Sequence, residues 1–341
     1  MYKIKKWYVE FLEKEKQKKW EKVFFSFLCF FSSIYGLIVY IRNFFYDNFK
    51  FLSFWPYKKI ISVGSLSWGG AGKTTLSLYI YQKLSKEFKV CILRRGYGKD
   101  ENKFLLEKID DVFFSKNRRN LVEKLLLHFD LFILDDGFSY RRLKRDIDIV
   151  VMSAREFEIK YRLIPAGFFR ESLSSLKRAQ ILVLNYKEEF KDPLEVKKNI
   201  LEKFPRLKVF LSTYKFKRIL DFNNNEYEIE YLRKKRLAAI TAIGYPKGFF
   251  NKLKELNLDI VKEISYPDHY EFRKDELSDL QNSLINEGID AVIITYKDKY
   301  RFSYYDLKLN FYILEIDIEI DNQEEFLAEI KERIKKDDKI A

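Results

Sequence analysis

The chain has 341 residues, 47% of them hydrophobic, a composition that is typical of a globular protein with one or two domains and excludes wholesale disorder. Its formal net charge of +13 favours anionic partners, namely nucleic acid, an anionic lipid surface or a phosphorylated substrate. Because only two cysteines and two histidines occur, we expect no disulfide framework, no zinc cluster and no histidine-rich metal site.

The first predicted element is an uncharged apolar segment, VFFSFLCFFSSIYGLIVYI, at residues 23–41. It is close to the length of about 20 residues that crosses a bilayer as a helix. A cleaved signal peptide is disfavoured because the region before the segment is long and no small-residue cleavage site follows it. A full span is disfavoured because the lysine-rich flank comes first and should stay in the cytoplasm, so that the remainder of the chain would be exported.

A helix that lies in the cytoplasmic face of the membrane avoids this conflict. Its phenylalanines would enter the lipid, and the upstream lysines would contact anionic headgroups. These residues are Phe24, Phe25, Phe27, Phe30 and Phe31, and Lys14, Lys16, Lys18, Lys19 and Lys22. We therefore predict a monotopic anchor, with a membrane span and a buried core helix as the alternatives.

Short apolar runs alternate with stretches of helical spacing from Lys59 onward, which predicts an α/β fold with a parallel sheet flanked by helices. The predicted strands lie at residues 59–66, 89–98, 129–137, 146–154 and 179–185, with a second series at 236–244, 259–266 and 289–296. The predicted helices lie at residues 76–88, 249–256 and 274–288.

Residues 214–236 separate the two series and are polar, basic and poorly periodic, with a hairpin turn predicted at Asn223, Asn224 and Asn225. We place a domain boundary near residue 214. The predicted organisation is a membrane-anchor segment at 1–50, a P-loop domain at 51–213 and a smaller C-terminal α/β domain at 214–341 that completes the active-site cleft.

SLSWGGAGKTT at residues 65–75 lies between a predicted strand and a predicted helix, the setting of a phosphate-binding loop. Ser67 stands where the motif G-x-x-x-x-G-K-[ST] has its first glycine, but the inner glycines make the closest approach to phosphate. Lys73 is expected to reach the β- and γ-phosphates of ATP, and Thr74 to offer its hydroxyl to Mg²⁺. The predicted nucleotide-binding residues are Ser67, Trp68, Gly69, Gly70, Ala71, Gly72, Lys73 and Thr74.

The run FILDDG at residues 132–137 ends a predicted strand in Asp135 and Asp136. A carboxylate at such a strand end can hold Mg²⁺ directly or through water. The alternative is an ordinary turn capped by aspartate. Its position after a P-loop favours the metal-binding interpretation.

Further motifs follow in a specific order: RRGYG, DDGFSYRRLKRDIDIVV, LIPAGFFRES, AIGYPKGFF, YPDHYEF and ITYKDKYRF. In this order they resemble the tetraacyldisaccharide 4′-kinases, the lipid A 4′-kinases of Gram-negative bacteria. That family has a relaxed P-loop, T-x-G-G-x-G-K-T, followed by S-R-G-Y-G, D-D-G-[FL]-Q-H, R-D-[IV]-[DE]-I-V-V, L-P-A-G-P-L-R-E, G-I-G-x-P-x-x-F-F, F-P-D-H and T-E-K-D. The family places a hydroxyl residue where Ser67 stands.

The resemblance implies a P-loop NTPase-like kinase at the cytoplasmic face of the inner membrane. Such a kinase would use ATP and Mg²⁺ to phosphorylate the 4′-hydroxyl of an acylated glucosamine disaccharide 1-phosphate, giving lipid IVA in lipid A biosynthesis. The lipid acceptor and the membrane surface would be its partners. We expect no nucleic acid partner and a monomeric protein.

The resemblance also implies roles for residues outside the P-loop. Asp135 and Asp136 match the acidic pair of the family. Arg170 and Glu171 match the R-E after L-P-A-G, where the guanidinium would brace phosphate charge and the carboxylate would assist Mg²⁺. Arg95 would be a second cationic brace.

His269, in Y-P-D-H, matches a family histidine thought to pair with a catalytic aspartate, and Asp100 is the nearest match to that aspartate although the region before it is shortened. The alternatives are a solvated loop acid for Asp100 and a structural role for His269. The expected catalytic residues are Asp100, His269, Lys73 and Arg170, and the expected metal ligands are Thr74, Asp135, Asp136 and Glu171.

Some departures of the chain from the family pattern fall near the expected metal and substrate positions or in the last motif. Ser139 and Tyr140 replace the Gln-His that follows D-D-G-F, and Tyr296 replaces the glutamate of T-E-K-D. A membrane-associated GTPase or partitioning ATPase is kept as an alternative, although T-Y-K-D fits a guanine-reading motif poorly. A non-catalytic membrane protein with a decayed site is the other alternative.

Overall fold

The computed structural model describes residues 7–8, 11–12, 18–68, 71–96, 98–157, 161–186, 192–267, 270–303 and 305–335. These residues form two compact units. The P-loop unit takes in Trp7–Gly96, Asp111–Thr213 and residues 318–335, and the second unit takes in residues 98–110 and Tyr214–Asp317.

The P-loop unit begins with the long helix α1 (Lys19–Asn48) and then alternates strands with helices. Its strands are β1 (Lys59–Gly64), β2 (Val90–Arg94), β3 (Val112–Phe114), β4 (Leu131–Asp135), β5 (Ile147–Ser153), β6 (Ile181–Asn185) and the first part of β7 (Lys208–Leu220). Its other helices are α2 (Lys73–Leu84), α4 (Arg118–Leu125), α5 (Pro193–Lys203) and α10 (Gln323–Lys335), with short 3₁₀ turns at Ala154–Phe157 and Leu173–Arg178.

The strands of this unit lie in the order β7-β6-β5-β1-β4-β2-β3, and each neighbouring pair is parallel. Helix α2 connects β1 to β2, and β4 lies between those two strands, so the strand order reverses beside β1. Ligands of such sheets bind at the carboxyl ends of the strands near the reversal. Because Val63 of β1 pairs with Asp135 of β4, the P-loop and the acidic pair emerge side by side at that edge.

Two clusters of buried apolar side chains hold the sheet and helices of this unit together. One contains Leu66 and Phe138 and reaches α5, and the other contains Cys91 and reaches α4 through Val122. Burial of one such side chain contributes about 1.5–3 kcal/mol relative to exposure. Gly64 lies so close to Phe138 that a Cβ added to Gly64 would stand 2.4 Å from the Cβ of Phe138. The last position of β1 before the P-loop therefore needs a glycine.

Helix α1 has 30 residues and a mean hydropathy of 2.0 in its most apolar window, of which 11% is buried. By length and composition it could cross a membrane. The low burial argues against the alternative of a buried core helix, because such a helix would be covered on most sides.

The strands of the second unit belong to the same 12-stranded sheet and follow the order β10-β9-β11-β12-β7, with β8 antiparallel to β7. Its further strands are β8 (Glu226–Tyr227), β9 (Leu237–Thr241), β10 (Ile260–Ser265), β11 (Ala291–Thr295) and β12 (Asn310–Ile320). Its helices are α3 (Lys99–Lys108), α6 (Ile229–Arg233), α7 (Pro246–Glu255), α8 (Lys274–Asn286) and α9 (Lys299–Phe302).

The predicted α/β class with a parallel sheet is confirmed, and each predicted strand and helix has a counterpart. Residues 214–220, predicted to be irregular, instead continue β7. Residues 99–108 form α3 and contain Asp100, for which a solvated loop acid was the alternative to a catalytic role. Residues 98–110 group with the later compact unit and residues 318–335 with the earlier one. The organisation into an anchor segment and domains at 51–213 and 214–341 stays a prediction. The division between Thr213 and Tyr214 falls inside β7.

Candidate active site

The P-loop connects the end of β1 to the start of α2. Gly72 precedes α2 with a φ of +93°, a left-handed conformation that glycine adopts without strain, and Lys73 begins the helix. The free N–H groups and partial positive charge of a helix N-terminus attract phosphate. Ala71 is buried beside them. Gly69 and Gly70 lie outside the described residues.

Ser67 is joined to its surroundings through both its side chain and its backbone. Its hydroxyl donates a 2.7 Å hydrogen bond to Oε1 of Glu156. Its carbonyl accepts hydrogen bonds from the hydroxyl of Ser65 at 2.9 Å and from Nε of Arg170 at 3.1 Å. Trp68, which follows, is 51% exposed. The position without a glycine is therefore a fixed point at the entrance of the loop.

The ammonium group of Lys73 lies between a hydroxyl and a carboxylate. Its Nζ is 3.1 Å from Oγ of Ser65 and 3.4 Å from Oδ1 of Asp136. Both side chains of the ion pair are 16% exposed, so the charge is partly shielded from water. These oxygens are acceptors that the lysine can exchange for phosphate oxygens.

Asp135 is fully buried at the end of β4. Its Oδ1 accepts a hydrogen bond from Ser77 at 3.2 Å, and its Oδ2 accepts one from Thr74 at 3.1 Å. Arg94, the last residue of β2, donates through Nη1 to the same Oδ2 and to Oγ1 of Thr74, the latter at 2.8 Å. A buried carboxylate needs such a partner, since an unpaired charge is costly in the interior.

Asp136 adopts a positive φ of 53°, a conformation that aspartate tolerates better than most residues. Its carboxylate accepts two hydrogen bonds from the guanidinium of Arg170. Nη2 lies 2.8 Å from Oδ1, and Nη1 lies 3.1 Å from Oδ2. Such fork-like pairs are stronger and more directional than single contacts. Arg170 therefore connects the acidic turn after β4 with the P-loop carbonyl described above.

Arg118 is a further basic residue of this edge that the sequence motifs did not indicate. Its Nη1 donates to the backbone carbonyls of Asp135 at 2.9 Å and Asp136 at 3.2 Å. Its guanidinium also lies 4.2 Å from the ring centroid of Tyr140. Tyr140, one of the departures from the family pattern, thus supports an arginine that fixes the acidic turn.

Glu156 is a second residue that the motifs missed, because it lies in a 3₁₀ turn with no recognisable pattern. Although the residue as a whole is partly exposed, its Oε2 is buried and has no hydrogen-bond partner among the described residues. Burial raises the pKa of Glu156 to about 7, against the opposing effects of the hydrogen bond from Ser67 and the charge of Lys73.

Glu171 is fully buried and contacts basic and amide groups. Its Oε1 accepts from Arg42 of α1 at 2.8 Å, and its Oε2 accepts from Asn43 at 3.2 Å and Arg178 at 2.7 Å. Burial alone would raise its pKa, but the guanidinium groups of Arg178 and Arg42 help to lower the pKa of Glu171 to about 2. The carboxylate that was predicted as a metal ligand thus forms ion pairs with two guanidinium groups.

Helix α1 presents one face to the P-loop unit over the same stretch. Ser32 donates to the carbonyl of Leu163 at 2.8 Å, and Tyr35 donates to the carbonyl of Arg170 at 2.9 Å. Oδ1 of Asp47 lies 2.6 Å from Nη2 of the buried Arg141 and forms an ion pair with it. The large exposed apolar side chains of the helix are Trp20, Val23, Phe27, Phe30, Phe31, Ile34, Leu37, Ile38, Tyr40, Ile41, Phe44 and Phe45.

The oxygens of Thr74 and Asp135 are of the kind that Mg²⁺ prefers. Their separation of 3.1 Å is close to the spacing of about 2.9 Å between adjacent ligands of an octahedral ion with bonds of 2.0–2.1 Å. Among the described residues, no three His, Cys, Asp or Glu side chains gather into a metal site. Thr74 and Asp135 thus place two oxygens at a spacing that fits adjacent positions of such an ion.

The second unit contains Asp100, in the first turn of α3. Its Oδ2 accepts a 2.6 Å hydrogen bond from Arg301, a buried residue of α9. Arg301 also donates to Asp298 and, at 2.7 Å, to the carbonyl of Ala242. Asp298 in turn accepts from Thr241 at 2.7 Å. Asp100 is thus held by a buried network rather than free in a loop.

Arg95, His269 and Tyr296 are the remaining residues that the sequence analysis singled out. Arg95 is exposed just after β2, whereas its neighbour Arg94 is buried. His269 lies outside the described residues, so its pairing with Asp100 stays a prediction. Tyr296 is buried, with Lys108 over its ring at 4.2 Å.

Comparison with known proteins gives a consistent result. The family model described as Tetraacyldisaccharide-1-P 4′-kinase matches residues 24–110 and 100–335. A tetraacyldisaccharide 4′-kinase from Halothermothrix orenii is 28% identical over 349 residues, covering 88% of this chain and 90% of the relative. Another from Aquifex aeolicus is 32% identical over 272 residues, covering 71% of this chain and 81% of the relative.

A solved structure is similar over nearly the whole chain. It is the crystal structure of the "apo" form of LpxK from Aquifex aeolicus in complex with ATP. The TM-score is 0.71 at 26% identity, and the match covers 91% of this chain and 99% of that one.

Proposed function

The chain belongs to the tetraacyldisaccharide 4′-kinase family, and we propose that its P-loop site transfers the γ-phosphate of ATP to the 4′-hydroxyl of the tetraacyl glucosamine disaccharide 1-phosphate. It is a kinase of lipid A biosynthesis, and its product is lipid IVA. The observation that carries the assignment of the site is the grouping of Lys73, Thr74, Asp135 and Arg170 at the carboxyl edge of one parallel sheet.

ATP would be held by the backbone of residues 67–72 and by Lys73. The lysine would exchange Ser65 and Asp136 for the β- and γ-phosphate oxygens. Arg170 would keep Asp136 in place through its two-point contact and add positive charge beside the phosphates. The ATP-bound relative supports ATP as the phosphate donor.

Thr74 and Asp135 would hold Mg²⁺ at their paired oxygens, with Asp136 adding negative charge from the adjacent position. When bound, the ion would neutralise charge that develops on the phosphates. Glu171 would not join these ligands, because two guanidinium groups engage its carboxylate. We propose for it a structural role, fixing α1 to the residues that follow Arg170.

Asp100 would accept the proton of the 4′-hydroxyl, with His269 as its partner. Arg301 contacts one oxygen of Asp100 at 2.6 Å and would hold the carboxylate in a fixed orientation toward the hydroxyl. Since phosphoryl transfer passes through a loose transition state, positioning matters more than basic strength at this step.

Helix α1 would lie in the cytoplasmic face of the inner membrane, with the protein acting as a monomer. The contacts from Ser32 to Asp47 support this orientation over a membrane span, because that stretch has one face on the protein and cannot be surrounded by lipid. Its exposed phenylalanines would enter the bilayer that contains the acceptor.

The deciding experiment is incubation of the purified protein with γ-labelled ATP and the acylated disaccharide 1-phosphate, followed by analysis for the 4′-phosphate. We expect labelled product from the wild type and a loss of at least about 10³-fold for Lys73→Ala. Lys86→Ala, which changes an exposed lysine after α2, serves as the control and should retain the wild-type rate. Equal rates for Lys73→Ala and the wild type would refute the site.

A further inference from the structure

Arg94 makes contacts that the proposed reaction does not use. It lies at the end of β2, 5% exposed, and its Nη1 donates to both Thr74 Oγ1 and Asp135 Oδ2. These are the two oxygens assigned above to Mg²⁺. In the motif S-R-G-Y-G quoted above for the family, a serine stands where this chain has Arg94.

A guanidinium nitrogen and a metal ion would bind to the same lone pairs of these oxygens. The nitrogen is 2.8 Å from Thr74 Oγ1, while a magnesium ligand lies 2.0–2.1 Å from the ion. An ion that reached both oxygens from the same side would approach the positively charged nitrogen within contact distance. Two cations at such a separation repel strongly in a buried site.

The charges around Asp135 also indicate that Arg94 and a metal ion would compete for this carboxylate. Arg94 already compensates this fully buried carboxylate, and Ser77 occupies its other oxygen at 3.2 Å. Removing the guanidinium would leave the charge of Asp135 without its ion-pair partner, a situation that favours the uptake of another cation. The same two oxygens would then be available to a divalent ion.

We propose that Arg94 is an internal cation that competes with the divalent metal for Thr74 and Asp135. It is a positioning residue, since it holds both side chains together and sets how tightly the site takes up metal. The proposal rests on the metal ligands named under the proposed function. It predicts that the nucleotide-free protein binds divalent ions weakly, and that loss of the guanidinium strengthens this binding.

The test is direct binding of Mn²⁺, measured by electron paramagnetic resonance on the purified, nucleotide-free, full-length protein. We expect Arg94→Ser to bind Mn²⁺ at least about tenfold more tightly than the wild type, a change that corresponds to about 1.4 kcal/mol. Arg94→Lys, which keeps a cation, should stay close to the wild type. Arg94→Gln provides a neutral variant of similar length if the serine variant fails to fold.

Arg145→Ser is the matched control, because Arg145 forms a buried two-point ion pair with Asp148 in the same unit. It should lose stability without a change in Mn²⁺ affinity. A structural role alone would give Arg94→Ser that same behaviour, so unchanged affinity in Arg94→Ser and Arg94→Gln overturns the proposal.

Adding Asp135→Asn separates this inference from the metal assignment on which it rests. If the tighter binding of Arg94→Ser disappears in the double variant, both stand. If Asp135→Asn abolishes binding in the wild type while Arg94→Ser has no effect, the metal site stands and the inference fails. If Mn²⁺ affinity does not depend on Asp135 in either background, the metal assignment fails and the inference with it.

Discussion

The guanidinium of Arg170 and the carboxylate of Asp136 meet at two points, with N–O distances of 2.8 Å and 3.1 Å. The same guanidinium donates through Nε to the carbonyl of Ser67 at 3.1 Å. Because one rigid planar group makes all three contacts, the spacing between the P-loop and the acidic turn is set before any phosphate arrives.

The first prediction follows from that geometry. Arg170→Lys keeps the charge but loses the fork, and we expect kcat/KM for ATP to fall about 10- to 100-fold, the equivalent of one or two charged hydrogen bonds. Steady-state kinetics with the lipid acceptor at saturation measure the effect. Arg145→Lys makes the same change in a two-point pair with Asp148 and should leave kcat/KM unchanged. Similar losses in both variants would assign Arg170 a purely structural role.

The second prediction concerns Glu171. Glu171→Gln leaves Arg42 and Arg178 facing a neutral amide, and we expect the free energy of unfolding to fall by about 3 kcal/mol. Denaturant titration in detergent measures it, with Glu123→Gln, which removes an exposed ion pair, as a control that should change by less than about 0.5 kcal/mol. A shift in the Mg²⁺ concentration for half-maximal activity would restore Glu171 as a metal ligand.

The third prediction tests Asp100. We expect Asp100→Asn to lower kcat by about 10²- to 10⁴-fold at saturating substrates, because the amide cannot take the proton of the hydroxyl. Glu101→Gln changes the next residue of the same helix, where the carboxylate pairs with Lys297 at 3.3 Å, and should retain activity. A decrease of less than about threefold in Asp100→Asn would remove this residue from the base role.

The fourth prediction concerns the outward face of α1. Phe30 and Leu37 are 61% and 58% exposed and lie seven residues apart, on one side of the helix. Replacing both with aspartate should weaken binding to anionic lipid vesicles at least about 100-fold, since each loses about 1.5–3 kcal/mol of apolar burial. Co-sedimentation measures the partition. Leu127→Asp, at a 97% exposed position after α4, should bind like the wild type. Unaltered binding of the double variant would refute the anchor.

The fifth prediction is a pH dependence. The pKa of Glu156 is raised to about 7 in the folded protein, above its ordinary value of 4.5, so the folded state holds the proton more tightly than the unfolded chain. The stability contributed by this protonated group is complete below pH 4.5 and is lost as the pH rises through 7. Glu156→Gln keeps an oxygen that can accept the hydrogen bond from Ser67, and because the amide does not titrate, its stability should not fall over this pH range.

Denaturant titrations of both proteins at pH 5 and pH 8 check that expectation. The variant and the wild type should differ little at pH 5, and the variant should be the more stable of the two at pH 8. A difference that is the same at both pH values would show that Glu156 does not titrate in this range.

The strands and the helix around the P-loop could be predicted from the sequence because short motifs specify local backbone. A strand, a glycine-rich turn and a helix place Lys73 and Thr74 wherever they occur, and the strand ending in Asp135 pairs beside them. Family membership replaces the alternatives of a GTPase and a non-catalytic protein.

Contacts between distant segments could not be predicted in this way. Motif matching favoured Arg95, but Arg94 is the arginine that contacts Asp135, since the two neighbours lie on opposite sides of the strand end. Glu156 reaches Ser67 across 89 positions of sequence, and Glu171 meets α1 across 129. Such partners depend on tertiary packing, which leaves no periodic signal along the chain.

The seating of α1 on the P-loop unit limits how a water-soluble form of this enzyme could be made. Deleting residues 1–48 would strip Arg42 and Asn43 from a buried carboxylate and take away the hydroxyl of Tyr35 from the Arg170 carbonyl. Deletion would therefore destabilise the residues beside the P-loop site as well as remove the affinity for lipid. A redesign for crystallisation should instead keep the helix and replace only its outward side chains with polar ones. The exposed apolar surface would then be removed, and the contacts with the P-loop unit would be retained.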